Sequence, residues 1–384
     1  MWIEREYAEA IKRAVESRPV VLLTGIRQAG KSSLLQRLYP DAEYVTFDNI
    51  LNAEEAAHNP TRFLDRFKGR VILDEIQYVP SLFRDLKIKI DKNRDARGKW
   101  ILTGSQHFVL MKKVSESLAG RIRILNLGTL SAKELNRTDL LKNKRDLLWK
   151  GGFPELWAEG LEAKYFYEDY IQTYLERDLK QILNITNLRD YRRFLAMLAI
   201  RAGQLLNYSE VSNEIGVAVN TIKAWINTLE VSGLIHLLPP YYNNLGKRLI
   251  KAPKIYFSDN GLLSSLLNIE SPDSLDKSPH SGNVWENFVM SELVKNGFVA
   301  GKDLFFFRDS NGIEIDFIID KEGSVSLIEA KHSERPDRSK LSFKKIAPLI
   351  KTKVKSIVAC GIHEEGIIKL KEFSVYNPLN TSIY

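Results

Sequence analysis

Near the start of the chain, apolar positions follow two periods in turn. Between residues 4 and 17 they fall at Tyr7, Ala10, Ile11, Ala14 and Val15, the spacing of one helical face. Pro19 ends that pattern, and Val20-Val21-Leu22-Leu23 follows as a short apolar, partly β-branched run, read as a buried strand. The segment Ser33–Leu38 reads as a helix and Glu43–Phe47 as a second strand. Asn52–Phe67 looks helical with a break at Asn59-Pro60, and Arg70–Glu75 is an apolar strand ending in two carboxylates. Lys99–Thr103 and Ile122–Leu125 are further strands.

The middle of the chain is helical by the same criterion. Glu162–Leu183 carries Phe166, Tyr170 and Tyr174 at steps of four, a stripe expected to be core. Tyr208–Ile215 and Asn220–Val231 predict two helices across a turn at Gly216–Val219, the second burying Ile222, Ile226 and Leu229. Leu234–Leu238 and Lys254–Phe257 then read as a strand pair around a polar loop, Tyr241–Lys251. Two helices and a hairpin in this order make a winged helix-turn-helix. If it reads duplex DNA, Asn220, Thr221, Lys223 and Asn227 face the groove, and Lys247 and Arg248 meet phosphates. The same module also serves for protein interaction or packing.

Ser271–Ser281, rich in Ser, Pro and Asp, reads as a linker. Beyond it come a helix at Asn283–Asn296, a strand at Leu304–Arg308, a turn at Asp309–Gly312, and a hairpin partner at Ile313–Ile319. Val325–Lys331 and Val354–Ala359 complete the strands. The lysines at 340, 344, 345, 351, 353 and 355 would flank a phosphate backbone or form a solvated face.

Composition narrows the class. The 384 residues are 44% hydrophobic and 27% charged, with a net charge of +8 that permits a nucleic-acid partner without requiring one. No apolar run approaches the ~20 residues of a membrane span, and Met1–Glu6 lacks the form of a secretory signal. The single cysteine, Cys360, has no partner for an internal disulfide, which suits the cytoplasm.

Chemistry enters at Gly25-Ile26-Arg27-Gln28-Ala29-Gly30-Lys31-Ser32-Ser33, a P-loop pattern between strand and helix. The glycines let backbone N–H groups face phosphate oxygens, and the helix N-terminus adds partial positive charge. Lys31 would reach the β- and γ-phosphates of ATP, and Ser32 would complete a Mg²⁺ shell. At the end of the Arg70–Glu75 strand, Asp74 would hold Mg²⁺ through its water, and Glu75 would orient the attacking water. After the Lys99–Thr103 strand, Ser105 is the first choice for sensing the γ-phosphate, with Thr103 second. Ser105 as a helix N-cap fits equally.

These segments resemble the AAA-type P-loop ATPases, and more narrowly the ATPases that pair such a domain with a conserved C-terminal region of uncertain function. The resemblance rests on Gly25–Ser33, Leu73–Gln77, Leu102–Ser105, Ser117–Arg121, Gly151–Glu155 and Thr173–Asp178. It implies a parallel α/β sheet that binds ATP and Mg²⁺ at the carboxyl ends of its strands. It also makes Arg121 a candidate for stabilising transition-state charge, sometimes from a neighbouring subunit; a structural ion pair is the plainer reading.

In the C-terminal region, Glu329 and Lys331 lie two apart on one strand and so leave the same face. With Asp316 on the preceding strand they give Asp…Glu-x-Lys, which resembles the restriction-endonuclease-like, or PD-(D/E)xK, nuclease core. Glu286 matches the helical acidic residue of that family. The resemblance implies that Asp316, Glu329 and Glu286 bind Mg²⁺ and that Lys331 orients or deprotonates the attacking water.

The resulting expectation is an α/β protein of three parts. Residues 1–140 form a P-loop ATPase domain, 141–270 a helical segment with a winged helix, and 271–384 a nuclease-like domain. Its ligands are ATP and Mg²⁺, its partners DNA and a second copy or another protein. Either nucleotide state controls a DNA-binding and DNA-cleaving half, or the chain is an ATP-gated regulator with an inactive nuclease-like domain.

Overall fold

The computed structural model describes residues 1–93, 95–104, 117–178, 187–241, 251–321, 323–350 and 352–382, apart from the side chains of 175–178. Two compact units emerge, residues 2–128 with 231–233, and the rest of the chain from Thr129 onward.

The first unit runs α1 (Ala8–Ser17), β1 (Val20–Gly25), α2 (Lys31–Leu38), β2 (Glu43–Thr46), α3 (Ile50–His58), α4 (Pro60–Asp65), β3 (Val71–Asp74), α5 (Leu82–Lys92), β4 (Trp100–Thr103) and β5 (Ile122–Leu127). Its five strands are parallel in the order β2-β3-β4-β1-β5, so β4 is inserted between the P-loop strand and the strand that ends in Asp74. Alternate residues of the central strands β1, β3 and β4 feed opposite layers, as a sheet covered on both sides requires. Val20, Leu22, Val71, Leu73 and Leu102 pack with Phe63, Phe67, Phe83 and Leu86. Val21, Leu23, Ile72 and Ile101 pack with Ile11, Val15, Leu34 and Leu35. Asn59 explains the predicted break: it closes α3, and its side chain accepts from Arg62 N to start α4 at Pro60.

Gly25, where β1 meets the P-loop, has φ +144°, and a Cβ there would lie 2.1 Å from the carbonyl oxygen of Leu127 on β5. Gly25→Ala is therefore expected to destabilise this unit by about 2 kcal/mol or more, read as a lower urea midpoint.

The second unit opens with α6 (Ala132–Asn136), α7 (Lys144–Lys150), α8 (Pro154–Ala158) and α9 (Ala163–Tyr170); the helix continues in wider turns over Ile171–Asp178. The rest of the predicted helix to Leu183 lies outside the described residues. The aromatic stripe is core: Tyr170 lies between Phe166 and Tyr174, at ring centroid distances of 6.1 and 5.3 Å, and Phe153 packs beside them. Next come α10 (Leu188–Ile200), α11 (Tyr208–Ile215), α12 (Val219–Val231) and the antiparallel pair β6 (Ile235–Leu238) and β7 (Lys254–Phe257). Trp225 on α12 packs edge-on against Tyr191 and Phe194, an anchor the sequence pattern did not single out.

The unit closes with α13 (Asn260–Leu266), α14 (Pro272–Lys277), α15 (Ser281–Lys295), β8 (Leu304–Arg308), β9 (Glu314–Lys321), β10 (Ser324–Lys331), α16 (Phe343–Ile346), β11 (Lys353–Cys360), β12 (Ile368–Lys369) and β13 (Ser374–Tyr376). These strands make a mixed sheet, β12-β13-β11-β10-β9-β8, in which β10 and β11 run parallel. The expected linker at Ser271–Ser281 holds the helix α14: Ser271 caps it, Pro272 starts it, and Leu275 is buried. Serine followed by proline marks a helix start as readily as a linker.

In the β6/β7 hairpin, burial pushes the His236 imidazole down to about 4, and its Nε2 lies 3.0 Å from Ser258 Oγ. Below the ordinary value of 6.5 the unfolded chain takes up a proton that the folded chain refuses, so stability falls as pH drops from 6.5 toward 4. The loss is expected to be on the order of 2 kcal/mol and absent from His236→Gln. Denaturant melts of both proteins at pH 7 and pH 4.5 check it; parallel losses would assign the effect elsewhere.

Candidate functional site

The P-loop is built by backbone geometry. Gly25 leaves β1, Gln28 and Gly30 take positive φ of 63° and 85°, and Gly30 caps α2, whose first residue is Lys31. Ile26 and Ala29 are buried and anchor the loop, whereas Arg27, Gln28 and Ser33 stand exposed along it. Arg5 fixes it from beneath, donating to the carbonyl oxygens of Ala29 (2.9 Å) and Gly128 (2.7 Å). The Lys31 ammonium is buried and donates to the carbonyl oxygens of Gly25 and Ile26 at 3.2 and 3.0 Å. Burial holds its pKa below the usual lysine value, against the pull of Glu75 and Asp74.

Asp74 gathers hydroxyl groups from three elements. Ser32 Oγ at the start of α2 donates to Oδ1 (2.7 Å), Tyr44 OH on β2 donates to Oδ2 (2.6 Å), and Thr103 Oγ1 at the end of β4 donates to Oδ1. Burial and the Asp74 carboxylate raise the Tyr44 pKa. Thr103 Oγ1 also accepts from Glu75 N (3.2 Å), so the inserted strand touches both carboxylate residues. Glu75 sits at φ 55°, a conformation costly for a non-glycine residue, and its carboxylate accepts from Gln77 Nε2. The donor set suits a hard cation: the Ser32 hydroxyl and Asp74 carboxylate meet at the mouth of a loop whose glycines leave room for phosphate. Of the two sensor candidates, Thr103 is in contact with Asp74, and Ser105 lies outside the described residues.

Arg121 is elsewhere. It precedes β5 at the amino end of the sheet, where Ile122 pairs with Val20, while the P-loop leaves the carboxyl end at Gly25 beside Leu127. Its guanidinium forks onto Asp91 at 2.7 and 2.9 Å. Within one chain, then, Arg121 is ion-paired to Asp91 and stands away from the P-loop, because the length of β5 separates the two.

In the second unit, the Asp…Glu-x-Lys residues do converge. Lys331 Nζ lies 3.4 Å from Asp316 Oδ2 and 3.0 Å from Glu329 Oε2. Asp316 Oδ2 accepts from Ala330 N (2.8 Å), and Glu329 Oε1 accepts from Ser342 N (2.6 Å). Glu286 on α15 joins them, but through an intermediary that the sequence did not indicate: Lys254 of β7, 1% exposed. Its ammonium lies 2.9 Å from Glu286 Oε1 and 3.9 Å from Asp316 Oδ1, and it also pairs with Glu314. Burial opposes its charge, yet Glu286, Asp316 and Glu314 together hold its pKa above the ordinary value. Glu286 also accepts from Tyr256 OH (2.7 Å), and burial raises its pKa despite Lys254. Burial likewise raises Glu329, against the pull of Lys331. A divalent ion does not fit this arrangement as it stands. The carboxylates expected to ligate it are taken by lysines, and among the described residues no three His, Cys, Asp or Glu side chains are placed to hold a metal.

Asn220, Lys223 and Asn227 are exposed on one side of α12, and Thr221 is half-buried. Lys247 and Arg248 lie outside the described residues. Of the tail lysines, Lys344 pairs with Glu372 at 3.0 Å, and Lys353 and Lys355 are exposed on β11. Among the described residues no helix is long and apolar enough to cross a membrane.

Tyr44, Arg5, Lys254 and Glu314 had no motif to betray them, and Gln77 lay in the Leu73–Gln77 segment without a role of its own. Only their tertiary position next to motif residues marks them, and strand order is not written in local sequence.

A P-loop leaving β1, a carboxylate pair ending β3 and a polar residue ending an inserted β4 define a P-loop ATPase domain of the AAA type, and residues 17–136 match the family described as an AAA domain. Residues 141–273 and 281–376 match two families described as domains of unknown function, DUF8612 and DUF4143. The chain belongs to the same family as the uncharacterized proteins Rv2008c of Mycobacterium tuberculosis and Mb2031c of Mycobacterium bovis. Each is 34% identical over 346 residues, 88% of this chain and 76% of the relative. Among solved structures, the Walker-type ATPase PABY2304 of Pyrococcus abyssi is 17% identical, with 69% of this chain and 96% of that chain covered and a TM-score of 0.45.

Proposed function

We propose that the protein is a Mg²⁺-dependent ATP-hydrolysing switch whose nucleotide state governs a DNA-binding C-terminal half. The observation that carries the ATPase part is the convergence of Ser32, Tyr44 and Thr103 on Asp74. Through it, the P-loop helix, the strand ending in Asp74 and the inserted strand share one carboxylate. Mg²⁺ bound there would neutralise phosphate charge. Lys31 and the N–H groups of the loop bind the phosphates, and Asp74 orients the Ser32 hydroxyl. Glu75, once released by Gln77, orients the attacking water. Thr103 couples the two acids and takes the sensor role.

For the C-terminal half, the order of α15, β8, β9 and β10 supports a nuclease-like fold. The pair α11 and α12 with the β6/β7 hairpin supports a winged helix that presents Asn220, Lys223 and Asn227 to DNA. Between cleavage and gating, the contact of Lys254 with Glu286, Glu314 and Asp316 favours the ATP-gated regulator. Phosphate release and nicking of plasmid and branched DNA, with Mg²⁺ or Mn²⁺, test this on wild type, Lys31→Ala and Asp316→Ala. The expected result is ATP turnover that Lys31→Ala abolishes and Asp316→Ala retains, DNA retarded in gels, and no nicking. Nicking lost in Asp316→Ala would establish the cleaving reading instead.

A further inference from the structure

The search for further sites converges on Lys254. We propose that its ammonium is the resident cation of the C-terminal acidic cluster, held where a divalent ion would otherwise sit, and that it fastens the β6/β7 hairpin to the sheet. The proposal concerns the cluster alone and holds whether or not this half meets DNA.

Three observations support it. Lys254 is drawn to carboxylates from two elements far along the chain, Glu286 on α15 and Glu314 and Asp316 on β9. It is delivered by a rigid strand. β7 pairs with β6 on one side, and on the other Gly203 N and Leu206 N donate to the carbonyl oxygens of Ile255 and Pro253, both at 2.8 Å. The ring of contacts is also closed. Glu286 takes Tyr256 OH, Asp316 takes Ala330 N and Lys331, Glu329 takes Ser342 N and Lys331, and Glu314 takes Arg308 at 3.2 Å. Mg²⁺ needs near-octahedral oxygen ligation and keeps several waters, so it would have to displace a buried ammonium and break these bonds. An ammonium tethered to the chain pays no entropy of association and keeps one positive charge among the three carboxylates at all times, beside Lys331 at Asp316 and Arg308 at Glu314.

The fold therefore uses nuclease-type acids as a clasp. The test employs the full chain carrying Ser32→Ala, without nucleotide, so that the P-loop contributes no divalent site. Mn²⁺ binding is read by electron paramagnetic resonance, and thermal melts are run in EDTA and in Mn²⁺. With Lys254 present, no Mn²⁺ is expected at this cluster and melting is the same in both solutions. Lys254→Ala is expected to melt about 10 °C lower in EDTA. It should bind one Mn²⁺ and recover part of that loss, and Asp316→Asn added to it should remove both effects. One Mn²⁺ bound by the Lys254 protein and lost in Asp316→Asn would overturn the proposal. So would a Lys254→Ala protein that melts normally and binds none.

Should Lys254→Ala fail to fold, Lys254→Met is compared with Lys254→Met carrying Glu286→Gln and Glu314→Gln. The neutralised triple variant is expected to melt above the single one, since its loss is of charge compensation and not of volume. Equal melting would overturn the clasp.

Discussion

ATP turnover is expected to fall at least about 100-fold in Lys31→Ala, with no loss of thermal stability. The reason lies in what the ammonium does before nucleotide arrives. It is buried and donates to the carbonyl oxygens of Gly25 and Ile26, at 3.2 and 3.0 Å, and burial depresses its pKa against the pull of Glu75 and Asp74. A desolvated cation whose hydrogen bonds go to carbonyl oxygens, with Glu75 and Asp74 acting on it without an ion-pair contact, is poorly compensated, and phosphate oxygens would be far better partners. Its removal therefore takes a charge from the site of reaction without taking an ion pair from the fold. Phosphate release under single-turnover conditions, beside a melting curve, reads both halves. Turnover within tenfold of wild type would remove Lys31 from the proposed role, and a lower melting temperature would show it to be structural.

The largest loss of stability is expected at Asp259, outside both sites. Its carboxylate, 1% exposed, accepts from Gly152 N (2.8 Å), Tyr167 OH (2.7 Å), Gly261 N (2.9 Å) and Leu262 N (3.2 Å). It thereby ties the turn before α8, the aromatic helix α9 and the start of α13. Gly151 has φ +73°, and a Cβ there would stand 2.2 Å from Asp259 Oδ1. At Gly152 a Cβ would stand 2.4 Å from the carbonyl oxygen of Leu130, and the two approaches together explain the glycine pair of the Gly151–Glu155 segment. Asp259→Ala leaves three backbone N–H groups without their acceptor in a dry interior, while Tyr167 OH keeps the carbonyl oxygen of Lys150 at 2.9 Å. The expected cost is about 3–5 kcal/mol, seen as a lower urea midpoint of the second unit, with Asp259→Asn losing less. A change below about 1 kcal/mol would mean that water or a neighbouring carbonyl replaces the carboxylate.

Local sequence carried much of this. Strand and helix identities follow from periodicity, since a strand buried on both faces must be apolar throughout and a helix on one face only. The P-loop, Asp74 and Glu75 were legible because phosphate binding needs glycine, lysine and hydroxyl at fixed spacing on consecutive residues. The Asp316, Glu329 and Lys331 set was legible because strand alternation places two of its members on one face. Ser271–Ser281 misled because serine and proline open helices as well as linkers.

What the sequence could not determine is which residues from distant segments complete each site. Tyr44 reaches Asp74 because β2 lies beside β3, and Thr103 does so because β4 is inserted between β3 and β1. Arg121 is parted from the P-loop because β5 runs parallel to β1 and places it at the opposite end. Lys254 enters the acid cluster from a hairpin 60 residues before Glu314 by number, through contacts that no local pattern encodes. The sequence thus determined the elements and the motif chemistry, which depend on neighbours along the chain. Tertiary structure decided the partners of each charge, because burial makes every carboxylate and ammonium answer to whatever packs against it, wherever that lies in the chain.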